Sequence, residues 1–329
     1  MDQDASRPRR RPRCVSRGPS SPANGTYSSP LFGHVYCGYG RPSQLLLSSC
    51  ANGRPKTARF CLAARVMETI STNNVSVRGV TLVDDKLFVL LQRDASQVAV
   101  YSTNDYHLLR HIHLLQFNPD IHSDLTSCVR HKCLYMSDSR YRWIYRHDLV
   151  ASATNKWDVP TATPMGLSVT PNCNLLVTCQ WPNKLVELSA VSGQCVREIT
   201  LQSDIERPWH GVQLTNGQYV VCHGSYNSLH RVCIVDGDGR VIRSHGDQIG
   251  SDADQLNMPS HVAVDKDSQF IFVADCFNAR VTLLNGTLEF AGLCKPHKSS
   301  SRPCRLHLDH ATRRLYVGQF FGTVTVIQL

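Results

Sequence analysis

No run of apolar residues in this 329-residue chain is long enough to cross a bilayer, which takes about 20; Leu45–Leu47 is far too short. Nor is the basic N-terminus followed by the apolar region of about 7–15 residues that a secretory signal needs. A cytoplasmic protein with no membrane partner is therefore expected. The 14 cysteines include no Cys-x-x-Cys pair, so they supply neither a paired zinc framework nor a RING domain. They sit singly inside apolar runs instead, as at Cys128, Cys133, Cys173, Cys179, Cys195, Cys222, Cys233 and Cys276. Reduced thiols placed in this way are small apolar fillers.

Acidic residues are nearly missing from the first 66 positions, which hold eleven Lys plus Arg against Asp2 and Asp4. That stretch is rich in Arg, Pro, Ser and Gly and poor in β-branched residues, so it lacks the material of a core. Residues 1–60 are expected to form a disordered basic leader. Its Arg9–Arg13 run suits nucleic-acid contact, a nuclear address or simple solubility. The rest of the chain is neutral, with 24 basic and 24 acidic residues.

What residues 61–329 do contain is short β-branched or aromatic runs separated by turn formers. Between Met258 and Gly292 the runs HVAVD, FIFVAD, RVTLL and LEFAG are divided by KDSQ, CFNA and NGT, giving four strands and three turns. A lone four-stranded meander leaves one apolar face uncovered, and a closed ring of such sheets covers it. The unit can be followed six times, from near Arg78, Leu125, Met165, His210, His261 and Arg305, at spacings of 40 to 51 residues by subtraction. The last copy stops after three strands. Its fourth is expected from Val66–Ile70, which would clasp the two ends of the ring together.

The fifth copy, P-x-x-V-A-V-D followed by F-V-A-D-x-x-N-x-R-V, resembles the NHL repeat, with Asp265, Asp275, Asn278 and Arg280 on the family's positions. The second-strand Asp survives otherwise only as Asp138; Gln92, Cys179, His223 and Gln319 replace it elsewhere. Neither a G-H…W-D signature nor a kelch pattern is present. The resemblance implies an all-β, six-bladed NHL-type propeller in which those four residues are structural. Similar propellers form the C-terminal part of tripartite-motif NHL proteins, where they bind RNA or protein. By that resemblance the chain is expected to dock a protein, as a substrate-recognition part of a ubiquitin-pathway assembly, with single-stranded RNA as the alternative ligand.

Stacking the six copies at the start of the inner strand gives Arg78, Leu125, Met165, His210, His261 and Arg305. Such a channel mouth carries two fixed cations, two imidazoles and no carboxylate, and favours an anion because low-dielectric walls concentrate the field. Arg78, His210, His261 and Arg305 are therefore expected as binding residues. Trp181, Trp209, Tyr226, Phe277, Phe320 and Phe321 fall in or beside turns, where exposed rings stack bases or anchor peptides.

Catalysis is not expected, and neither is a cofactor or metal. A lactonase-type calcium site wants a ring of oxygens, and a zinc lyase wants three converging ligands where this ring offers His210 and His261. Two other clusters carry ligand-type side chains: Cys128, His131 and Cys133, and His107, His111 and His113. Strand alternation is expected to turn Cys128 and His131 to opposite faces while His111 and His113 share one.

Overall fold

The computed structural model describes residues 64–92, 97–114, 117–159, 162–225, 229–294 and 302–329. All belong to the unit spanning Lys56–Leu329. The expected leader, residues 1–60, and Tyr226 lie outside the described residues.

The alternating and fully apolar runs form strands throughout. β1 (Arg65–Ser71) comes first. Blade one follows as β2 (Val77–Val83), β3 (Lys86–Leu91), β4 (Gln97–Ser102) and β5 (Leu108–His113). Blade two is β6 (Leu125–Cys128), β7 (Cys133–Asp138), β8 (Trp143–Asp148) and β9 (Thr154–Asp158). Blade three is β10 (Thr163–Val169), β11 (Leu175–Gln180), β12 (Lys184–Leu188) and β13 (Cys195–Thr200). Blade four is β14 (Pro208–Gln213), β15 (Tyr219–His223), β16 (Arg231–Val235) and β17 (Val241–His245). Blade five is β18 (Pro259–Val264), β19 (Ile271–Asp275), β20 (Arg280–Leu284) and β21 (Phe290–Cys294). Blade six is β22 (Pro303–Asp309), β23 (Arg314–Gln319) and β24 (Thr323–Gln328), completed by β1. The six sheets are antiparallel and four-stranded, and the protein is a six-bladed β-propeller. Blade two, the faintest repeat in the sequence, has an inner strand of only four residues.

Six apolar clusters fill the six junctions between neighbouring blades, so the core is itself a ring. The second strands show why: β7, β11, β15 and β19 are buried at every residue, because both faces of a blade meet a neighbour. The outer strands β5, β9 and β13 are mostly exposed. β1 runs antiparallel to β24 from Arg65–Gln328 to Ser71–Thr323, and its inward Ile70 packs with Tyr316, Val324 and Val326. The chain's first described strand thus closes its last blade.

Among the described cysteines, Cys128, Cys133, Cys179, Cys222, Cys233 and Cys276 are buried fillers. Cys195 departs from that expectation: it lies on the outer strand β13 and is exposed, while Cys173 is half-buried in a turn.

Candidate functional site

The inner strands converge on the propeller axis, and a β-bulge at their start sets what faces it. Pro208, Pro259 and Pro303 pair with the last residues of β15, β19 and β23, one residue is skipped, and pairing resumes at His210, His261 and Arg305. In blade one the skipped residue is Arg78 and pairing resumes at Gly79. In blade three, counting back from the Leu167–Val177 pair places Gly166 at this position, and in blade two Ser137 N–H donates to Asp124 O. The axial ring therefore reads Gly79, Asp124, Gly166, His210, His261 and Arg305. This corrects the ring expected from sequence at three places, because a bulge inserts one residue without changing the apolar pattern around it. The mouth does hold a carboxylate, and Leu125 and Met165 are not part of the ring.

The glycines follow from crowding at the axis. A Cβ on Gly79 would stand 2.2 Å from Leu125 Cβ, and one on Gly166 would stand 2.4 Å from Trp209 O and 2.8 Å from His210 Cδ2. Only a residue without a side chain lets adjoining inner strands approach this closely.

Asp124 is the hub. Its Oδ1 accepts from Leu125 N–H at 2.9 Å and lies 3.2 Å from Arg305 Nε; its Oδ2 accepts from Leu167 N–H at 2.8 Å. Arg305 also donates to Arg78 O, Cys304 O and Ser123 O at 2.6–2.8 Å, spending its whole fork on the frame. His210 donates from Nε2 to Leu167 O at 3.0 Å, and its Nδ1 faces Val262 N–H at 3.5 Å. The His210 and His261 rings stack with centroids 3.6 Å apart, and His261 Nδ1 has no partner. Asp124, His210, His261 and Arg305 are each at most 6 % exposed, so they form a buried polar plug rather than an open cationic mouth.

Burial lowers the His210 pKa to about 3, helped by His261, and burial likewise lowers that of His261, so both imidazoles are neutral. Burial works against charge on Asp124 as well, but His261, once acid has protonated it, and the fixed charge of Arg305 outweigh it and hold the carboxyl well below its ordinary value. Arg78 stands just off the ring. It donates to Gln92 Oε1 and lies over the Phe320 ring, 4.5 Å from the centroid; burial lowers its pKa to about 10.

The start of each inner strand shares a face with the turn joining strands two and three, since the sheets are antiparallel. On that face those turns present Tyr141, Trp181, Phe277 and Phe321, which are 55 %, 61 %, 42 % and 51 % exposed. Arg302 lies 4.9 Å from the Phe277 ring centroid and 5.4 Å from that of Phe321, and Arg207 lies 5.8 Å from that of Trp181. Two of the expected aromatics are committed inward. Trp209 occupies the bulge of β14, donates from Nε1 to Gly224 O and stacks on His122, while Phe320 is half-buried under Arg78. Tyr141 escaped the sequence reading, although it follows Asp138 in the same turn in which Phe277 follows Asp275.

The repeat signature fastens the connection between blades four and five. Asp275 is fully buried and accepts from Arg280 Nε at 2.6 Å, Asn278 Nδ2 at 2.8 Å and Asn257 N–H at 2.7 Å. Arg280 donates onward to the carbonyls of Ser251, Asp252 and Gln255. On the opposite face Asp265 accepts from Ser268 and Arg313.

Of the two ligand-type clusters seen in sequence, Cys128 and His131 touch after all, Sγ to Nδ1 at 3.3 Å, because His131 lies in the turn where strand alternation no longer applies. His111 and His113 share a face with ring centroids 6.4 Å apart, and His107 pairs with Asp105. Among the described residues, the group of His, Cys, Asp or Glu whose donor atoms converge within 4.8 Å is Asp124, His210 and His261.

The class of protein defined by this geometry is a six-bladed propeller with a plugged axis and an aromatic-rimmed face. Solved structures agree on the fold. A catalytically inactive virginiamycin B lyase from Staphylococcus aureus, with quinupristin, matches at 11 % identity and TM-score 0.60, covering 81 % of this chain and 99 % of that one. Selenomethionine-substituted virginiamycin B lyase from the same organism matches at 12 % and 0.57, with the same coverage. Hydrazine synthase of Kuenenia stuttgartiensis matches at 14 % and 0.58, covering 79 % and 97 %. No protein-family model and no curated protein matches the sequence.

Proposed function

We propose that this chain is a non-enzymatic recognition module, a propeller of NHL type that docks a protein partner on the face bearing the turn aromatics. One observation carries the reading: the same turn of four blades exposes Tyr141, Trp181, Phe277 and Phe321 around a single face. Large, rigid rings are the anchors that interfaces use, and arginines beside them add charge-assisted contacts at their rim. Arg302 and Arg207 stand in that place. The axial polar residues, by contrast, mostly serve one another and the frame. Substrate recognition within a ubiquitin-pathway assembly, in the cytoplasm, is the role that the NHL resemblance lends to such a face.

Single-stranded RNA is the second reading, favoured by Arg302 lying against both Phe277 and Phe321, since arginine beside an aromatic plane is a base-stacking combination. The neutral charge of residues 67–329 weighs against it, because phosphate binding needs a basic excess.

The test is crosslinking capture from cell extract with the full chain and with a Trp181→Ala/Phe277→Ala/Phe321→Ala variant, each with and without ribonuclease. Protein captured by the unaltered chain, resistant to ribonuclease and absent from the variant, supports protein docking. Ribonuclease-sensitive capture transfers support to RNA. Identical capture by the folded variant rejects the face altogether.

A further inference from the structure

We propose, building on the protein-docking reading, that a polar cavity between blades one and two binds an extended, acidic peptide segment of the partner and takes one of its carboxylates on Gln92 and Arg140. The cavity measures about 530 Å³, within the range of about 300–1,000 Å³ usual for ligand sites. Asn74 and Ser76 line it from the connection of β1 to β2, Gln92 from the turn after β3, Asn118 and Asp120 from the connection of β5 to β6, and Arg140 from the turn after β7. All four segments lie on the aromatic-rimmed face. The turn of blade one, residues 92–96, contains no aromatic residue, so a polar hollow occupies the sector where four other blades present a ring.

The charged and amide groups of the lining offer mainly N–H. Gln92 is fixed in orientation, because Arg78, which donates but cannot accept, gives Nε at 2.8 Å and also Nη2 to Gln92 Oε1. Two N–H groups on Gln92 Nε2 are left for the cavity. Arg140 is exposed, and among the described residues no carboxylate lies within ion-pair reach of its guanidinium. Asp120, the carboxylate of the lining, is engaged by its own connection and the next turn: Oδ1 accepts from His122 N–H at 2.9 Å and Ser123 Oγ at 3.2 Å, and Oδ2 accepts from Ser139 Oγ at 2.8 Å.

The walls are also held in place before any ligand arrives. Thr72 N–H donates to Gly322 O at 3.1 Å and Thr72 Oγ1 to Val75 O at 2.7 Å, bracing a turn in which Asn73 and Asn74 both have positive φ, and Gln92 N–H donates to Ser76 O at 3.0 Å. Groups ordered in advance lose little freedom on binding. An arginine fork and an amide N–H pair match a carboxylate, while Asn74 and Asn118 each offer a donor and an acceptor, the complement of a peptide group. One guanidinium beside the charge of Asp120 suits a single carboxylate better than a run of phosphates, which draws on several cations.

The probe is a fluorescein-labelled, end-blocked hexaglutamate, with hexaglutamine as the neutral control and hexauridylate as the phosphate control, read by fluorescence anisotropy on the full chain. Arg9, Arg10, Arg11 and Arg13 are changed to Gln throughout, so that the basic run near the N-terminus does not take up the probe. Hexaglutamate is expected to bind saturably and hexaglutamine not to bind. Arg140→Gln, at an exposed position, and Gln92→Glu, which keeps the shape and the Arg78 contact but turns donors into acceptors, are each expected to weaken binding by at least about 10-fold, the scale of one charge-assisted hydrogen bond. Arg240→Gln, in the exposed turn after β16 on the opposite face, is expected to leave it unchanged. Hexaglutamate binding no tighter than hexaglutamine, unchanged affinity in either folded variant, or tighter hexauridylate binding that the same variants abolish overturns the assignment. If neither variant folds, the comparison of hexaglutamate with hexaglutamine decides it. Failure here while ribonuclease-resistant capture still depends on Trp181, Phe277 and Phe321 removes the acidic segment and leaves protein docking standing. Failure of that capture with the probe results as expected removes docking and leaves a carboxylate site.

Discussion

His210 and His261 lie ring on ring, 3.6 Å between centroids and 21° between planes, although they come from different blades. Blade three leaves room for this with Gly166, whose missing side chain would stand 2.8 Å from the His210 ring. The histidine pair is therefore positioned by a glycine on one side and by Asp124 on another.

Gly166→Ala places a methyl group 2.4 Å from Trp209 O, a backbone atom that cannot swing aside. The expected cost is about 1–3 kcal/mol of stability, measured by urea unfolding, as for other overpacked cores. Near-ultraviolet circular dichroism should change with it, because Trp209 borders the clash.

Arg280→Ala leaves the Asp275 carboxylate buried and short of its ion-pair partner, in a site where burial already pushes its pKa up. A loss of about 3–5 kcal/mol is expected. Asp275→Asn/Arg280→Ala together should cost less than the sum of the two single changes, and a double-mutant cycle by chemical denaturation reads the difference.

Stability should fall with acid through His223. Burial, then the neighbouring Arg231, lowers its pKa from 6.5 to about 4. The unfolded chain takes up a proton near pH 6.5 and the folded one only near pH 4, so stability present above pH 6.5 is lost as the pH drops across that window. At about 1.36 kcal/mol per unit, this one group contributes up to about 3 kcal/mol. Urea titrations at several pH values should show a shallower slope in His223→Gln.

Ile70→Asp puts a charge into the junction that β1 closes, where Ile70 is 6 % exposed beside Val324 and Val326. It is expected to cost about 3 kcal/mol or more and to free the edge of β24 for pairing with other chains. Thermal unfolding followed by light scattering should show a lower midpoint and earlier aggregation.

The blade count and the clasp were legible because strand periodicity and turn residues survive degeneration of the repeat: β-branched runs at blade spacing are needed wherever a sheet is buried on both faces. The axial ring was legible in blades four to six, where proline precedes the bulge and a polar side chain fills the ring position; blade three has the same proline, Pro164, but its ring position is Gly166, which has no side chain to announce it. Blade one has Val77 in that place and blade two has a four-residue inner strand, so neither announces its skipped residue. Asp124 stood one position outside the expected strand for that reason. Trp209 and Phe320 show the other limit, since a turn-proximal aromatic is free or committed according to which neighbour covers it, here His122 and Arg78.

The pairing of β1 with β24 has a consequence during synthesis. The first described strand cannot find its partner until all the blades between the two have been made, so five sheets can assemble while the wheel stays open. Contacts of such long sequence separation are slow to form, and a nascent chain in that interval carries two raw sheet edges. Holding them apart until the end is a task for chaperones or for speed.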